Sequence, residues 1–195
     1  MLVVNLDSTD PQMIQAAAQV LLEGFREGSP DAWPTLDAAL EEVRDCLAPG
    51  RIVRAYLSAD GVLLGWIAGH SEYDGHVWEL HPLVVDPGWQ ERGIGRALVE
   101  DFEAQVAARG GITVMLGTDD ETGRTSLGGV DVYPEVWRRI ADLKNLHRHP
   151  FEFYQKMGYV VVGIVPDANG FGKPDILMAK RVGVSLSAIM KSVYR

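Results

Sequence analysis

At 195 residues, 47% of them apolar and 23% charged, the chain has the size and make-up of one globular domain with a substantial core. Its net charge of −9 argues against a nucleic-acid partner and favours a cationic one. Apolar runs fall short of the ~20 residues of a membrane span, the first residues lack the pattern of a secretory signal, and the single Cys46 cannot form an internal disulfide. A cytoplasmic protein without membrane contact is the expectation.

Residues 2–6 read as a short strand. Asp7, Ser8 or Thr9 then caps a helix that carries Pro11 near its first turn and runs to about Phe25. Gly28-Ser29-Pro30 breaks the chain, and a second helix covers about 35–47. These first fifty residues hold nine acidic side chains against two basic ones. That is either a cation-attracting surface or a solvated helical face. Cys46 fits as a small buried residue of the second helix better than as a catalytic thiol. Residues 52–58 and 62–71 form a hairpin around Ala59-Asp60-Gly61, and 77–85 make a further strand.

That strand runs through Leu83-Val84-Val85 and Asp86-Pro87 into Gln90-Glu91-Arg92-Gly93-Ile94-Gly95, where a helix begins that ends near Arg109. Strand, glycine turn and helix hold a pyrophosphate: glycines let the backbone approach, and unpaired N–H groups at the helix start point at the anion. No Lys-Ser/Thr follows the glycines, which excludes a triphosphate P-loop, and the third glycine of the dinucleotide fingerprint is missing. A buried strand at 112–116 and a polar loop at 117–130 come next. Helices at 133–143 and 150–157, the latter stopped by Gly158, precede strands at 160–165 and 175–180. One domain over 1–182 and a tail at 183–195 are expected, in an α+β fold with a single mixed sheet.

The Gln-x-x-Gly-x-Gly string resembles the acyl-CoA motif of the GNAT superfamily of N-acetyltransferases. The element order is that of the GNAT fold. Three further strings resemble the bacterial aminoglycoside 6'-N-acetyltransferases within it. They are Trp78-Glu79-Leu80-His81-Pro82-Leu83-Val84-Val85, Leu116-Gly117-Thr118-Asp119-Asp120, and His149-Pro150-Phe151-Glu152-Phe153-Tyr154 continuing to Tyr159. The resemblance covers about 51–180. It implies acetyl-CoA as cosubstrate, a polycationic aminoglycoside as acceptor, no metal, and a homodimer.

It also implies a division of labour. Leu83, Val84, Val85, Gln90, Arg92, Gly93, Ile94, Gly95, Arg96 and Tyr154 would hold the cofactor. Glu79 would take the proton of the attacking amine, which at a lysine-like pKa of ~10 arrives charged. The backbone N–H of Leu83 would meet the oxyanion, and Tyr154 would protonate the leaving thiolate. His81 is a possible relay or a structural residue. Carboxylates suit the acceptor's ammonium groups, so Asp119 and Asp120 are candidates, with Glu72, Tyr73 and Asp74 near the hairpin end. Trp66, with Trp33 and Trp78, offers either a flat face to a sugar ring or plain core. His147 and His149 lack further donors at ligand spacing, so no metal is expected there. An acetyltransferase for a polyamine or peptide amine fits the acidic surface equally well. A non-catalytic acyl-CoA-binding module would need neither Glu79 nor Tyr154.

Overall fold

The computed structural model of the chain describes residues 2–183. Residues 184–195, nearly all of the expected tail, lie outside the described residues. In chain order the elements are β1 (Leu2–Asn5), α1 (Pro11–Phe25), α2 (Leu36–Cys46), β2 (Ile52–Leu57), β3 (Leu63–Glu72) and β4 (Val77–Val85). There follow α3 (Ile94–Ala108), β5 (Thr113–Asp119), α4 (Val136–Ala141), α5 (Phe151–Lys156), β6 (Val160–Val165) and β7 (Asp175–Arg181). The strands make one mixed sheet in the order β1-β2-β3-β4-β5-β7-β6, flanked by helices. Contacts divide the chain into two units. One runs to Val114 and resumes at Arg181; the other is Met115–Lys180.

In the first unit, β1 to β4 pair antiparallel in sequence order. Helix α1 is capped by Asp10, whose carboxylate accepts the N–H groups of Gln12 and Met13, with Pro11 just inside. The cap is thus one residue beyond the expected three, because Asp7 is engaged by Thr9 in the preceding turn. Thr35 caps α2 by accepting the N–H of Ala38. Ala17, Ala18 and Leu21 of α1 and Ala39, Val43 and Cys46 of α2 pack on Ala55, Trp66, Ala68 and Val84 of the sheet. The small helix residues let the layers close: a Cβ on Gly24 would stand 2.3 Å from Val84 Cγ2. Across the sheet, α3 buries Leu98, Val99, Phe102 and Val106. Arg54 of β2 grips Asp101 of α3 through Nε at 2.6 Å and Nη2 at 3.2 Å. No helix among the described residues is long and apolar enough to cross a membrane.

One irregularity in β4 decides the site. Leu80 pairs with Gly69 and Leu83 with Ile67, so two residues of β4, His81 and Pro82, face the single Ala68. This is a β-bulge, and it reverses which way alternate side chains point. Before it, Glu79 pairs with His70 on the α1–α2 face, while Trp78 lies under the guanidinium of Arg109 at the end of α3 and Leu80 is paired with Gly69, over which the Phe102 ring of α3 lies. After it, Val84 occupies the α1–α2 face beside Trp66.

In the second unit, β6 and β7 pair antiparallel from Val160↔Ala179 to Val165↔Asp175. Strand β5 runs to Asp119, beyond the expected end at 116, because the bare Gly117 admits the Asp175 carboxylate; a Cβ there would lie 2.3 Å from its oxygen. The expected helix at 133–143 is a 3₁₀ turn at Tyr133–Glu135 followed by α4, since Glu135 leaves the helical region at φ −145°.

Candidate active site

Between β4 and α3 the backbone is shaped for an anion. Asp86 Oδ1 accepts the Gly88 N–H at 2.8 Å, and the Gln90 side chain donates back to the Val85 carbonyl at 3.2 Å. Gln90 therefore ties the turn to its strand. The Arg92 guanidinium stacks 4.7 Å above Trp89. Gly93, at φ +85°, is in the left-handed region that costs an L side chain strain, and it serves as N-cap of α3. No side chain caps that end, and the first helical bond is Ala97 N–H to Gly93 carbonyl at 3.0 Å. The N–H groups of Ile94, Gly95 and Arg96 thus open at a fifteen-residue helix whose first turn carries no acid. Arg92, Gly93 and Arg96 are exposed. Val84 and Ile94, expected as cofactor contacts, are 4% and 3% exposed, so their side chains are core and only their backbone can serve.

At the bulge and upstream of it, polar groups gather on the α1–α2 face. His70 Nε2 lies 3.1 Å from Glu72 Oε1 and 3.5 Å from Glu79 Oε2. His81 Nε2 stands 3.8 Å from Glu42 Oε1 of α2, with its ring 5.8 Å from that of Trp33. Glu42 also accepts from the Trp33 indole and from Cys46 Sγ, each at 3.3 Å. Burial and the Glu42 carboxylate push the Cys46 thiol well up, so it stays protonated, as suits a core residue. Neither His70 nor Glu42 was singled out by the sequence. The i, i+2 spacing of His70 and Glu72 on a strand was the available signal. Among the described residues the group whose donor atoms could converge on a cation is His70, Glu72 and Glu79, within 4.8 Å of one another, rather than His147 and His149.

Two expected acceptor contacts are interior. Trp66 is wholly buried and donates its indole N–H to the Ala17 carbonyl at 3.0 Å. Asp120 is buried as well: its carboxylate accepts the N–H groups of Arg124 and Thr125 and the Thr125 hydroxyl, folding the loop after β5. Both are corrections, and both arise because the local partners satisfy the polar atoms completely. Asp119, in contrast, is exposed, and its carboxylate accepts from Asn169. Tyr73 is 73% exposed in the turn joining β3 to β4.

The second unit also holds His149 and Tyr154. His149 Nε2 donates to the Asp119 carbonyl at 2.9 Å and Nδ1 accepts the Phe151 N–H at 3.3 Å. Burial lowers its pKa, keeping the ring neutral. Tyr154 of α5, stacked edge-on between Phe153 and Tyr159, has its phenol pKa pushed up by burial. A phenol so held remains a proton donor.

A mixed sheet, a helix start open to an anion and a bulge just before it define an acyl-CoA-dependent transferase, and the comparisons agree. The chain belongs to the GNAT family of acetyltransferases, whose family model matches residues 15–139. Among solved structures it is similar to an aminoglycoside 6'-N-acetyltransferase complexed with coenzyme A, at 39% identity over 93% of this chain and 97% of that one, with a TM-score of 0.84. The aminoglycoside 6'-N-acetyltransferase from Enterococcus faecium is 39% identical over the same shares, TM-score 0.82. An aminoglycoside 6'-acetyltransferase type Ii is 34% identical over 95% of this chain and 99% of that one, TM-score 0.70. Comparison with curated proteins gave no match.

Proposed function

We propose that this protein transfers the acetyl group of acetyl-CoA to the 6'-amine of aminoglycoside antibiotics and so confers resistance, with residues 1–182 acting as one catalytic domain. The observation that carries the reading is the gathering of Glu79, Glu72 and Glu42 on one sheet face, a few residues upstream of the open start of α3. Likeness to aminoglycoside 6'-N-acetyltransferases over nearly the whole chain supports it.

The N–H groups of Ile94, Gly95 and Arg96, with Arg92 and Arg96 beside them, take the pyrophosphate. Carboxylates on the α1–α2 face, Glu72 among them, receive the cationic acceptor, and the exposed Asp119 is proposed as a further acceptor contact. Glu79 removes a proton as the amine attacks the thioester carbonyl. The Leu83 N–H, just past the bulge, stabilises the oxyanion, and Tyr154 returns a proton to the departing sulfur. We place the enzyme in the cytoplasm as a homodimer. The free thiol of Cys46 supports the first, and β6, last in the sheet order with Val160, Val162 and Val165 exposed, supports the second.

The test uses two drugs that differ at one atom. Neomycin carries an amine at the position in question and paromomycin a hydroxyl. With acetyl-CoA, mass spectrometry should find singly acetylated neomycin and unmodified paromomycin. Equal acetylation of both, or acetylation of polyamines alone, refutes the assignment.

A further inference from the structure

We infer that His70 is a positioning residue of the transfer reaction: its Nε2 restrains the carboxylate of Glu79 and holds it apart from that of Glu72. The inference rests on the proposal that Glu79 takes the acceptor's proton.

The geometry follows from register. His70 and Glu79 are paired across β3 and β4, and Glu72 lies two residues along β3 on the same face. Without a donor between them, two acceptor-only carboxylates would face each other at close range and repel. A base pushed off its position by that repulsion is no longer aimed at the amine. The His70 ring supplies the donor, 3.1 Å from Glu72 and 3.5 Å from Glu79.

Which nitrogen carries the hydrogen is also fixed by the surroundings. Nδ1 is shielded from solvent and has no hydrogen-bond partner among the described residues. A proton placed there in the neutral ring would bury an unsatisfied donor and turn the Nε2 lone pair onto two carboxylates. The Nε2–H form avoids both penalties. Both carboxylates meet the same nitrogen, so the ring cannot carry a proton from one to the other through its two ends. Its contribution is orientation. The hydrogen bond goes to Glu72, while Glu79 Oε2 faces the same N–H at 3.5 Å and is drawn toward it without being its bonded partner.

A mutant cycle on neomycin and acetyl-CoA tests this. His70→Ala should lower kcat about 10-fold, the low end for a hydrogen bond to a charged group, with KM for acetyl-CoA unchanged. His70→Gln, whose amide nitrogen falls near the position of Nε2, should recover most of the loss. In a Glu79→Gln background, itself slowed by ~10²–10⁴ as expected on losing a general base, His70→Ala should cost almost nothing more. If Glu79→Gln is slow but His70→Ala turns over as the wild type does, or if the two losses multiply, the positioning role is overturned and the base stands. If Glu79→Gln keeps wild-type turnover, the base reading falls, and this inference with it. Acetyl-CoA affinity by calorimetry, unchanged in all four variants, shows that the fold is intact.

Discussion

Replacing Gly93 by alanine tests the anion site at the one position where only the backbone can respond. The residue sits at φ +85°, and a Cβ there would meet no atom of the described residues within 4 Å. Any effect is therefore conformational rather than steric. Holding an L-residue in the left-handed region costs roughly 1–2 kcal/mol. If the turn keeps its shape, that cost is stability, and for a chain of this length the melting temperature should drop by ~3–6 °C. If the turn relaxes instead, the N–H groups of Ile94, Gly95 and Arg96 swing off the pyrophosphate. A hydrogen bond to a charged group contributes about 1.5–3 kcal/mol, so misplacing even one should raise the Kd for CoA by ~10-fold or more. Calorimetry with CoA and a thermal melt on the same protein separate the two. A variant that melts lower and binds CoA normally fits the first branch. One that matches the wild type in both would show that the cap at Gly93 is not under the constraint described.

The neutral, buried His149 gives a pH dependence of fixed sign. Its folded pKa is lowered, so the unfolded chain binds the proton first, and stability is full above the ordinary imidazole pKa of ~6.5 and lost as pH falls through it. Melting temperature should fall between about pH 7 and pH 5, and His149→Gln should flatten that slope; equal slopes would refute the linkage. Sedimentation should find a dimer, with exposed Val160 and Val162 at its contact. A monomer across a wide concentration range, or a dimer unaffected by Val160→Lys with Val162→Lys, would remove that proposal.

What could be read from the sequence was what local spacing dictates. The turn from Gln90 to Gly95 is contiguous, and its glycines and the apolar helix after it required no knowledge of distant contacts. The start of the second helix near Thr35 and the stop at Gly158 were legible for the same reason. Cross-strand neighbours were not. His70 faces Glu79 only because β3 and β4 pair in one register, and a string of residues carries no register. Trp66 and Asp120 went astray because polar atoms look equally available in sequence whether solvent or the backbone of Ala17 and Thr125 satisfies them. The end of β5 depended on Asp175, more than fifty residues away, filling the space beside Gly117.

The extra residue in β4 acts as a hand-over between two binding jobs on one strand. Upstream of His81 and Pro82 the strand shows its one acid, Glu79, to the α1–α2 side; downstream it shows that side the aliphatic Val84. Were the strand to run through both of the pair without bulging, more than its twist would change. With the downstream pairing kept and both residues in regular register, Glu79 would slip from His70 to Ser71 and turn to the side packed by α3, while Trp78 and Leu80 would turn to the α1–α2 side. The protein would exchange its wet wall for its dry one, and the loss would be of a whole surface rather than of a single group.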